Sequence, residues 1–311
     1  MITLEHKPIA DGTILHWGDQ TFTFGKDAVE LTDSHDLLAA DDFDTLRERL
    51  LDEGYLFIRG FHPRSKVDAA HQSVVQVLRE MNALDPDEDW RDHIAGPENR
   101  SFAFFRLVEV AHAPEILAVT DGAHTFDFYE KLMGGPIATM DKRWLRVMAQ
   151  GGSNFFHFDS AYVGRGTLNR YTMWSAFSDI ALDNGPLAIC IGSHKDDKLK
   201  ATYGLADMDL DLIDPVFSRD AREMADKFGY TIATTNFQRG DVLLFGMHLM
   251  HSSIPNRTRR YRISIDTRYQ LASELRDERF YGENGAWLGN GYNKDARYRP
   301  MGDLRKLWGL E

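Results

Sequence analysis

The spacing of apolar residues in the first half of the chain predicts helices. Six of them recur at helical spacing between positions 63 and 84: Val67, Ala70, Val74, Val77, Leu78 and Met81. This pattern predicts an amphipathic helix. The stretch 41–61 predicts a helix that ends at Gly54, followed by a short strand over 55–58. A further helical stretch over 114–135 ends at a Gly-Gly-Pro sequence.

From about residue 143 the pattern changes to short β-branched or aromatic segments separated by Gly, Asn, Asp and Pro. Six segments of this kind follow, over 143–150, 171–177, 186–192, 230–235, 241–250 and 261–269. Helices followed by strands predict an α+β chain whose strands form a sandwich or barrel. No repeat or linker marks a boundary, so we expect one domain: a mainly helical part over 1–142, a strand core over 143–270, and loops with a short helix over 271–311.

Composition narrows the class of protein. The 311-residue chain has a formal net charge of −12, and 43% of its residues are hydrophobic. Such an acidic chain is not expected to bind nucleic acid or an anionic membrane surface. The single cysteine, Cys190, cannot form an internal disulfide, which favours a reducing cytoplasm. We see neither a signal peptide nor an apolar run long enough to span a bilayer, and expect a soluble cytoplasmic protein.

Two His-x-Asp pairs are candidate metal ligands: His157 with Asp159, and His194 with Asp196. On a strand, residues i and i+2 point to the same side, so His157 and Asp159 could address one ion. Two histidines and one carboxylate are typical of an iron(II) site that activates oxygen. Considered alone, however, such a pair is more often a hydrogen-bonded part of a protein core.

The third ligand must come from a distant segment, and the stretch 241–256 offers His248 and His251. Three positions apart, they would project to opposite faces of a regular strand, so only one can reach an ion inside a barrel. His251 stands at the end of the predicted strand, before a turn, where the chemistry of a barrel mouth is usually found. We favour His251 as the ligand and interpret His248 as a structural histidine.

In combination, these motifs resemble the phytanoyl-CoA dioxygenase-like (PhyH) family of iron(II)/2-oxoglutarate oxygenases. The resemblance covers roughly residues 44 to 270. It rests on His157 and Asp159, Asn-Gly-Pro-Leu at 184–187, Gly-Ser-His at 192–194, Gly240 and Asp241, His251, Ser253, Asn256, and Arg262 eleven residues after His251. One departure is Ile191, where the family often has proline, but the turn needs the glycine more.

The resemblance implies a double-stranded β-helix (a jelly-roll or cupin-like barrel) with the N-terminal helices outside one sheet. It implies that His157, Asp159 and His251 are the catalytic iron ligands, and that His194 lies in a structural turn. It also places the 2-oxoglutarate anchor at Arg262. Ser264 is a plausible helper, because Arg262 and Ser264 alternate with Tyr261, Ile263 and Ile265 and would face the interior. Gln150, on the strand before the first ligand, is a weaker candidate for contact with the cosubstrate.

The implied reaction is hydroxylation of an unactivated C–H bond, with 2-oxoglutarate and dioxygen converted to succinate and carbon dioxide. Related halogenases lack the carboxylate, so the presence of Asp159 favours hydroxylation. Desaturation, cyclisation or epimerisation by the same chemistry stay open. Two further alternatives are a cupin-like isomerase or lyase, which would not need Arg262, and a non-catalytic binding barrel, which would be free to lose a ligand.

The substrate is expected to be a small molecule, either anionic or partly aromatic and apolar. Aromatic residues that could line its pocket, although core packing is commoner for such residues, are Phe104, Phe105, Phe155, Trp174, Phe177 and Trp287. The arginines that flank the first ligands and hint at an anion are Arg143, Arg146, Arg165 and Arg170. The oligomeric state cannot be predicted.

Overall fold

The computed structural model describes residues 7–102, 107–282 and 297–311. The strands in these ranges are β1 (Ile14–Trp17), β2 (Gln20–Thr23), β3 (Ala28–Glu30), β4 (Tyr55–Ile58), β5 (Ile137–Thr139), β6 (Trp144–Met148), β7 (Arg170–Ala176), β8 (Leu187–Ile191), β9 (Thr231–Thr234), β10 (Val242–Gly246), β11 (His251–Ser253) and β12 (Arg262–Leu271). The helices are α1 (His35–Ala39), α2 (Phe43–Glu53), α3 (Arg64–Glu80), α4 (Val108–Ala111), α5 (Pro114–Thr120), α6 (Ala123–Met133), α7 (Ser160–Val163), α8 (Asp197–Ala201) and α9 (Met301–Trp308).

Two sheets pack against each other and form the double-stranded β-helix, so this prediction is confirmed. The larger sheet has the order β4-β10-β7-β12-β5, with β6 also paired to β12, and the smaller has the order β11-β8-β9-β3. A shared apolar core joins them: Phe57, Trp174 and Leu243 from the larger sheet meet Ile189 and Ala233 from the smaller. This interior is where the inward side chains of β7, β10 and β12 meet those of β8.

The N-terminal helices cover the outer face of the larger sheet, as predicted. Val67 and Val74 of α3 share a buried cluster with Ile263 and Ile265 of β12. The helices α2 and α6 pack on the strands β4 and β10 in a second cluster. No helix among the described residues combines the length and apolar character needed to cross a bilayer.

Several predicted boundaries agree with the structure, and others do not. The helix α2 ends at Glu53 because Gly54 adopts the left-handed conformation that a helix C-terminus favours, and β4 covers the predicted residues 55–58. The helical stretch over 114–135 consists of two helices, α5 and α6. The strand predicted over 241–250 ends at Gly246, and His251 begins a separate strand in the other sheet.

An N-terminal hairpin, β1–β2, was not predicted from the sequence. Its strands pair antiparallel, and β3 then adds to the small sheet in parallel with β9. The indole of Trp17 stacks on the ring of Phe156, with the ring centroids 5.1 Å apart. The hairpin therefore supports the segment that carries His157 and Asp159.

Buried neutral histidines should make the fold sensitive to acid. The ring of His62 is buried 2.9 Å from the hydroxyl of Ser175, and burial lowers the pKa of His62 to about 3. Between this value and the ordinary pKa near 6.5, the unfolded chain binds a proton that the folded chain does not. The free energy of unfolding therefore falls as the pH falls through this window.

We expect His62→Gln to reduce the slope of the free energy of unfolding against pH. The reduction corresponds to at most one proton, which is about 1.4 kcal/mol per pH unit. Urea unfolding of the unmodified protein and of His62→Gln between pH 4 and pH 7 measures this slope. The difference between their free energies of unfolding should shrink as the pH falls. A constant difference across the range would contradict the assignment.

Candidate metal centre

A backbone pairing between the segment before α7 and the start of β11 brings the two predicted histidine ligands together. The N–H of His157 donates to the carbonyl of His251 (3.1 Å), and the N–H of His251 donates back to His157 (3.2 Å). The two imidazole centroids lie 4.3 Å apart as a result. Asp159 does not continue a strand, contrary to the i, i+2 argument, because it has helical backbone angles and precedes the first residue of α7.

The three side chains form one buried cluster. Oδ1 of Asp159 lies 3.7 Å from Nε2 of His157 and 3.8 Å from Nε2 of His251. One ligand atom from each of the three lies within 4.8 Å of the others. Donor atoms at roughly 2.1 Å from one ion lie about 3 to 4 Å from each other, so this cluster could hold a metal ion with small adjustments.

Both imidazoles are held in the form that a metal ligand needs. Nδ1 of His157 donates to the carbonyl of Phe155 (2.6 Å) and Nδ1 of His251 to that of Leu249 (2.9 Å), which leaves each Nε2 with its lone pair on the side of Asp159. Burial, together with the neighbouring His251, lowers the pKa of His157 to about 3, and burial also lowers the pKa of His251. Both histidines are therefore neutral near pH 7 and able to bind a cation.

The two oxygens of Asp159 have different partners. Oδ2 accepts hydrogen bonds from the hydroxyl of Thr172 and from Nη2 of Arg268, the latter at 2.9 Å, whereas Oδ1 faces the imidazoles. Burial by itself would raise the pKa of Asp159, but the charge of Arg268 and the hydrogen bond from Thr172 hold it well below its usual range. The carboxylate is thus ionised, and one oxygen remains for a metal.

The strand β12 places its polar residues inside the barrel. All of the residues from Arg262 to Gln270 are buried. The alternation of polar and apolar residues along β12 therefore does not reflect a face exposed to water. Nε of Arg262 donates to the carbonyl of Gly185 (2.9 Å) and Nη1 to the hydroxyl of Ser264 (2.7 Å). Among the described residues, no carboxylate oxygen lies within 4 Å of this guanidinium. Burial lowers the pKa of Arg262 to about 10, so the group is still charged at neutral pH.

Two cavities meet at Arg268. An open cavity of about 220 Å³ is lined by His157 and Asp159 together with Trp144, Phe155 and other residues. A narrower recess behind it is lined by His157, His251 and Trp174. The ring of Trp174 lies 5.7 Å from the guanidinium of Arg262. Trp174, which forms part of the wall of the recess, thus also neighbours Arg262.

The other predicted site residues lie elsewhere. Gln150 is exposed and donates to the carbonyl of Arg257, so the structure does not bring it to the cavity. Nε2 of His194 lies against the carbonyl of Leu51, and Nε2 of His248 against that of Gly204. Neither histidine belongs to the ligand cluster.

The residues suggested to line a substrate pocket or to attract an anion lie in different parts of the structure. Phe155 and Trp174 line the cavities, whereas Phe177 packs in the outer cluster with α3. Phe104, Phe105 and Trp287 lie outside the described residues. All four flanking arginines have structural partners: Arg143 pairs with Asp121, Arg146 with Asp266, Arg165 with Asp207, and Arg170 with Gln270. Arg146 lines both cavities.

Sequence reasoning missed the roles of Thr172 and Arg268 beside Asp159. The alternation that placed Arg262 and Ser264 inside the barrel continues through Asp266 to Arg268, and it could have placed Arg268 there too. Nothing in the sequence indicates that Thr172 on β7 would reach the same carboxylate.

Comparison with known proteins agrees with this geometry. A family model described as phytanoyl-CoA dioxygenase (PhyH) matches residues 50–264. A 1-deoxypentalenic acid 11-beta-hydroxylase from Streptomyces exfoliatus is 24% identical over 249 residues, which cover 74% of this chain and 82% of that protein.

Two solved structures share the fold. The structure of EctD from S. alaskensis with 2-oxoglutarate and 5-hydroxyectoine superposes with a TM-score of 0.53 at 20% identity, over 82% of this chain and 86% of that one. The carbocyclase SnoK from nogalamycin biosynthesis gives a TM-score of 0.52 at 15% identity, over 74% and 84% of the two chains. The family match confirms the resemblance seen in the sequence: this chain belongs to the phytanoyl-CoA dioxygenase family, and is an oxidoreductase that uses iron(II), 2-oxoglutarate and dioxygen.

Proposed function

We propose that the chain hydroxylates an unactivated C–H bond of a small molecule while converting 2-oxoglutarate and dioxygen to succinate and carbon dioxide. The supporting observation is a pairing of two buried features. A His157–Asp159–His251 cluster lies at one end of a recess, and Arg262, a buried guanidinium without a carboxylate partner among the described residues, lies beyond Trp174. A metal site alone would not need the second feature.

In this proposal His157, Asp159 and His251 hold the iron. The donor set fits a divalent iron, because two neutral imidazoles and one carboxylate oxygen are the ligands of oxygen-activating sites of this kind. When bound, iron(II) and 2-oxoglutarate supply the oxidising chemistry that an unactivated C–H bond requires. The protein contributes ligand orientation through the carbonyls of Phe155 and Leu249.

Arg262 would bind the distal carboxylate of 2-oxoglutarate, with the hydroxyl of Ser264 beside it. A buried charge is stable only when it is paired, and a planar guanidinium can give a carboxylate two parallel hydrogen bonds. Two of its donors already bind Gly185 and Ser264, which fixes its orientation before the cosubstrate arrives.

Hydroxylation is the outcome best supported among the reactions open to this chemistry. With iron bound, Asp159 would fill the position that a halide needs, as the resemblance implies. The relative from Streptomyces exfoliatus is named as a 1-deoxypentalenic acid 11-beta-hydroxylase. Desaturation, cyclisation and epimerisation would use the same residues and differ in how the substrate lies, so they form the alternative.

The ligand assignment predicts a spectroscopic result. Under anaerobic conditions, iron(II) with 2-oxoglutarate should give a visible charge-transfer band in the unmodified protein. Asp159→Ala and His251→Ala should abolish this band, since each removes a ligand. His194→Ala and His248→Ala are the matched controls and should keep it. A band that survives in His251→Ala and disappears in His248→Ala would refute the choice of ligand.

The role of Arg262 predicts a selective loss of affinity. Arg262→Ala should weaken 2-oxoglutarate binding roughly 100-fold or more, because stranding one partner of a buried charge pair costs about 3–5 kcal/mol. Anaerobic titration of the band measures it. Binding of 2-oxobutanoate, which has no distal carboxylate, should change little.

Arg259→Ala is a matched control, because Arg259 comes shortly before β12 in the chain but its side chain pairs with Asp85 at the surface. An unchanged affinity of Arg262→Ala for 2-oxoglutarate would remove the proposed anchor.

A further inference from the structure

The guanidinium of Arg268 is buried beside the ligand cluster, and only some of its N–H donors have an acceptor among the described residues. The side chain is 4% exposed, and its guanidinium carbon lies 4.0 Å from the centre of the Trp144 ring. Nη2 donates to Oδ2 of Asp159. Nε and Nη1 are buried, and among the described residues neither has a hydrogen-bond acceptor. Buried donors without an acceptor are costly, so this arrangement suits a residue whose remaining partner arrives with a ligand.

The surroundings of Arg268 indicate what that ligand would be. Arg268 lines the open cavity together with His157 and Asp159, so a molecule that occupies this cavity contacts both the ligand cluster and the guanidinium. The remaining walls include the aromatic rings of Trp144, Phe155 and Tyr162. A carboxylate attached to an apolar or aromatic body is complementary to both features.

The charges of the site also favour an anion. Among the described residues in and beside the two cavities there are three guanidiniums, Arg146, Arg262 and Arg268, and two carboxylates, Asp159 and Asp266. A divalent cation and the doubly charged 2-oxoglutarate cancel each other. One positive charge is then left in a largely buried site, and burying an unpaired charge is unfavourable.

We propose that Arg268 binds a carboxylate beside the metal position through Nε or Nη1, a subsite distinct from the one at Arg262. This inference rests on the proposed function. Two molecules could supply the carboxylate: the keto-acid end of the cosubstrate, or a substrate that is itself an acid. In the second case the bond to be oxidised lies within a few bonds of the carboxylate, because Arg268 also holds a metal ligand.

A purely orienting role for Arg268 is the competing explanation, and Thr172 provides the matched control. Thr172→Val and Arg268→Gln each remove one donor to Oδ2 of Asp159, but only the second removes the donors without an acceptor. Arg268→Lys keeps the charge and loses the planar fork, and it replaces Arg268→Gln if that variant does not fold. Circular dichroism checks the fold of each variant.

The first measurement concerns the cosubstrate. Iron(II) affinity is measured anaerobically for each variant, and 2-oxoglutarate and 2-oxobutanoate are then titrated at saturating metal. If the cosubstrate supplies the carboxylate, Arg268→Gln weakens both keto acids at least 10-fold while Thr172→Val does not. Arg262→Ala differs, because it weakens 2-oxoglutarate alone.

The second measurement concerns the substrate. Hexanoate and 3-phenylpropanoate are added to the anaerobic iron(II)–2-oxoglutarate complex, each beside its primary amide, and the charge-transfer band is followed. If a substrate acid supplies the carboxylate, the acids perturb the band, the amides do not, and the response disappears in Arg268→Gln but survives in Thr172→Val.

The proposal is overturned if Arg268→Gln changes neither keto-acid affinity nor the response to acids, or if it lowers only the affinity for iron(II), to the same degree as Thr172→Val. The failure of the proposed function looks different. In that case the unmodified protein itself shows no charge-transfer band with iron(II) and 2-oxoglutarate.

Discussion

The site depends on one reciprocal pair of backbone hydrogen bonds, between His157 and His251. His251 begins β11 of the smaller sheet, whereas His157 lies in the segment before α7, far away in the chain. Their imidazoles therefore meet only when that segment has packed against β11. The pairing fixes both backbones, and local carbonyl acceptors fix both rings. Asp159 completes the cluster because α7 begins directly after it. The metal position is thus a product of the barrel's closure rather than of any local motif.

The strand β12 provides most of the remaining polar chemistry. Its outward residues Ile263 and Ile265 pack under α3, and this burial fixes the register of the strand. A register shift of one residue would turn the apolar side chains into the barrel, so the inward positions of Arg262 and Arg268 follow from the outward packing. One amphipathic strand therefore positions both the guanidinium of Arg262, the proposed anchor of the cosubstrate, and that of Arg268 against Asp159.

Much of this could be predicted because the relevant signals are local or periodic. Alternation along β12 indicated that Arg262 faces inward, and Gly54 marked the end of α2. The argument that His251 stands at the end of the strand over 241–250 was wrong, because a turn after Gly246 separates His251 from β10. The contact between Arg268 and Asp159 could not be read at all, because it joins side chains that only tertiary packing brings together.

The N-terminal hairpin gives this chain a means of adjustment that lies outside the barrel shared with its family, since the family match begins at residue 50. Trp17 stacks on Phe156, the residue before the proposed metal ligand His157. Substitutions in this hairpin can therefore alter the stiffness of the segment that carries His157 and Asp159. They would do so without changing any side chain that contacts the reactants. Evolution of new selectivity in such an enzyme need not begin in the pocket.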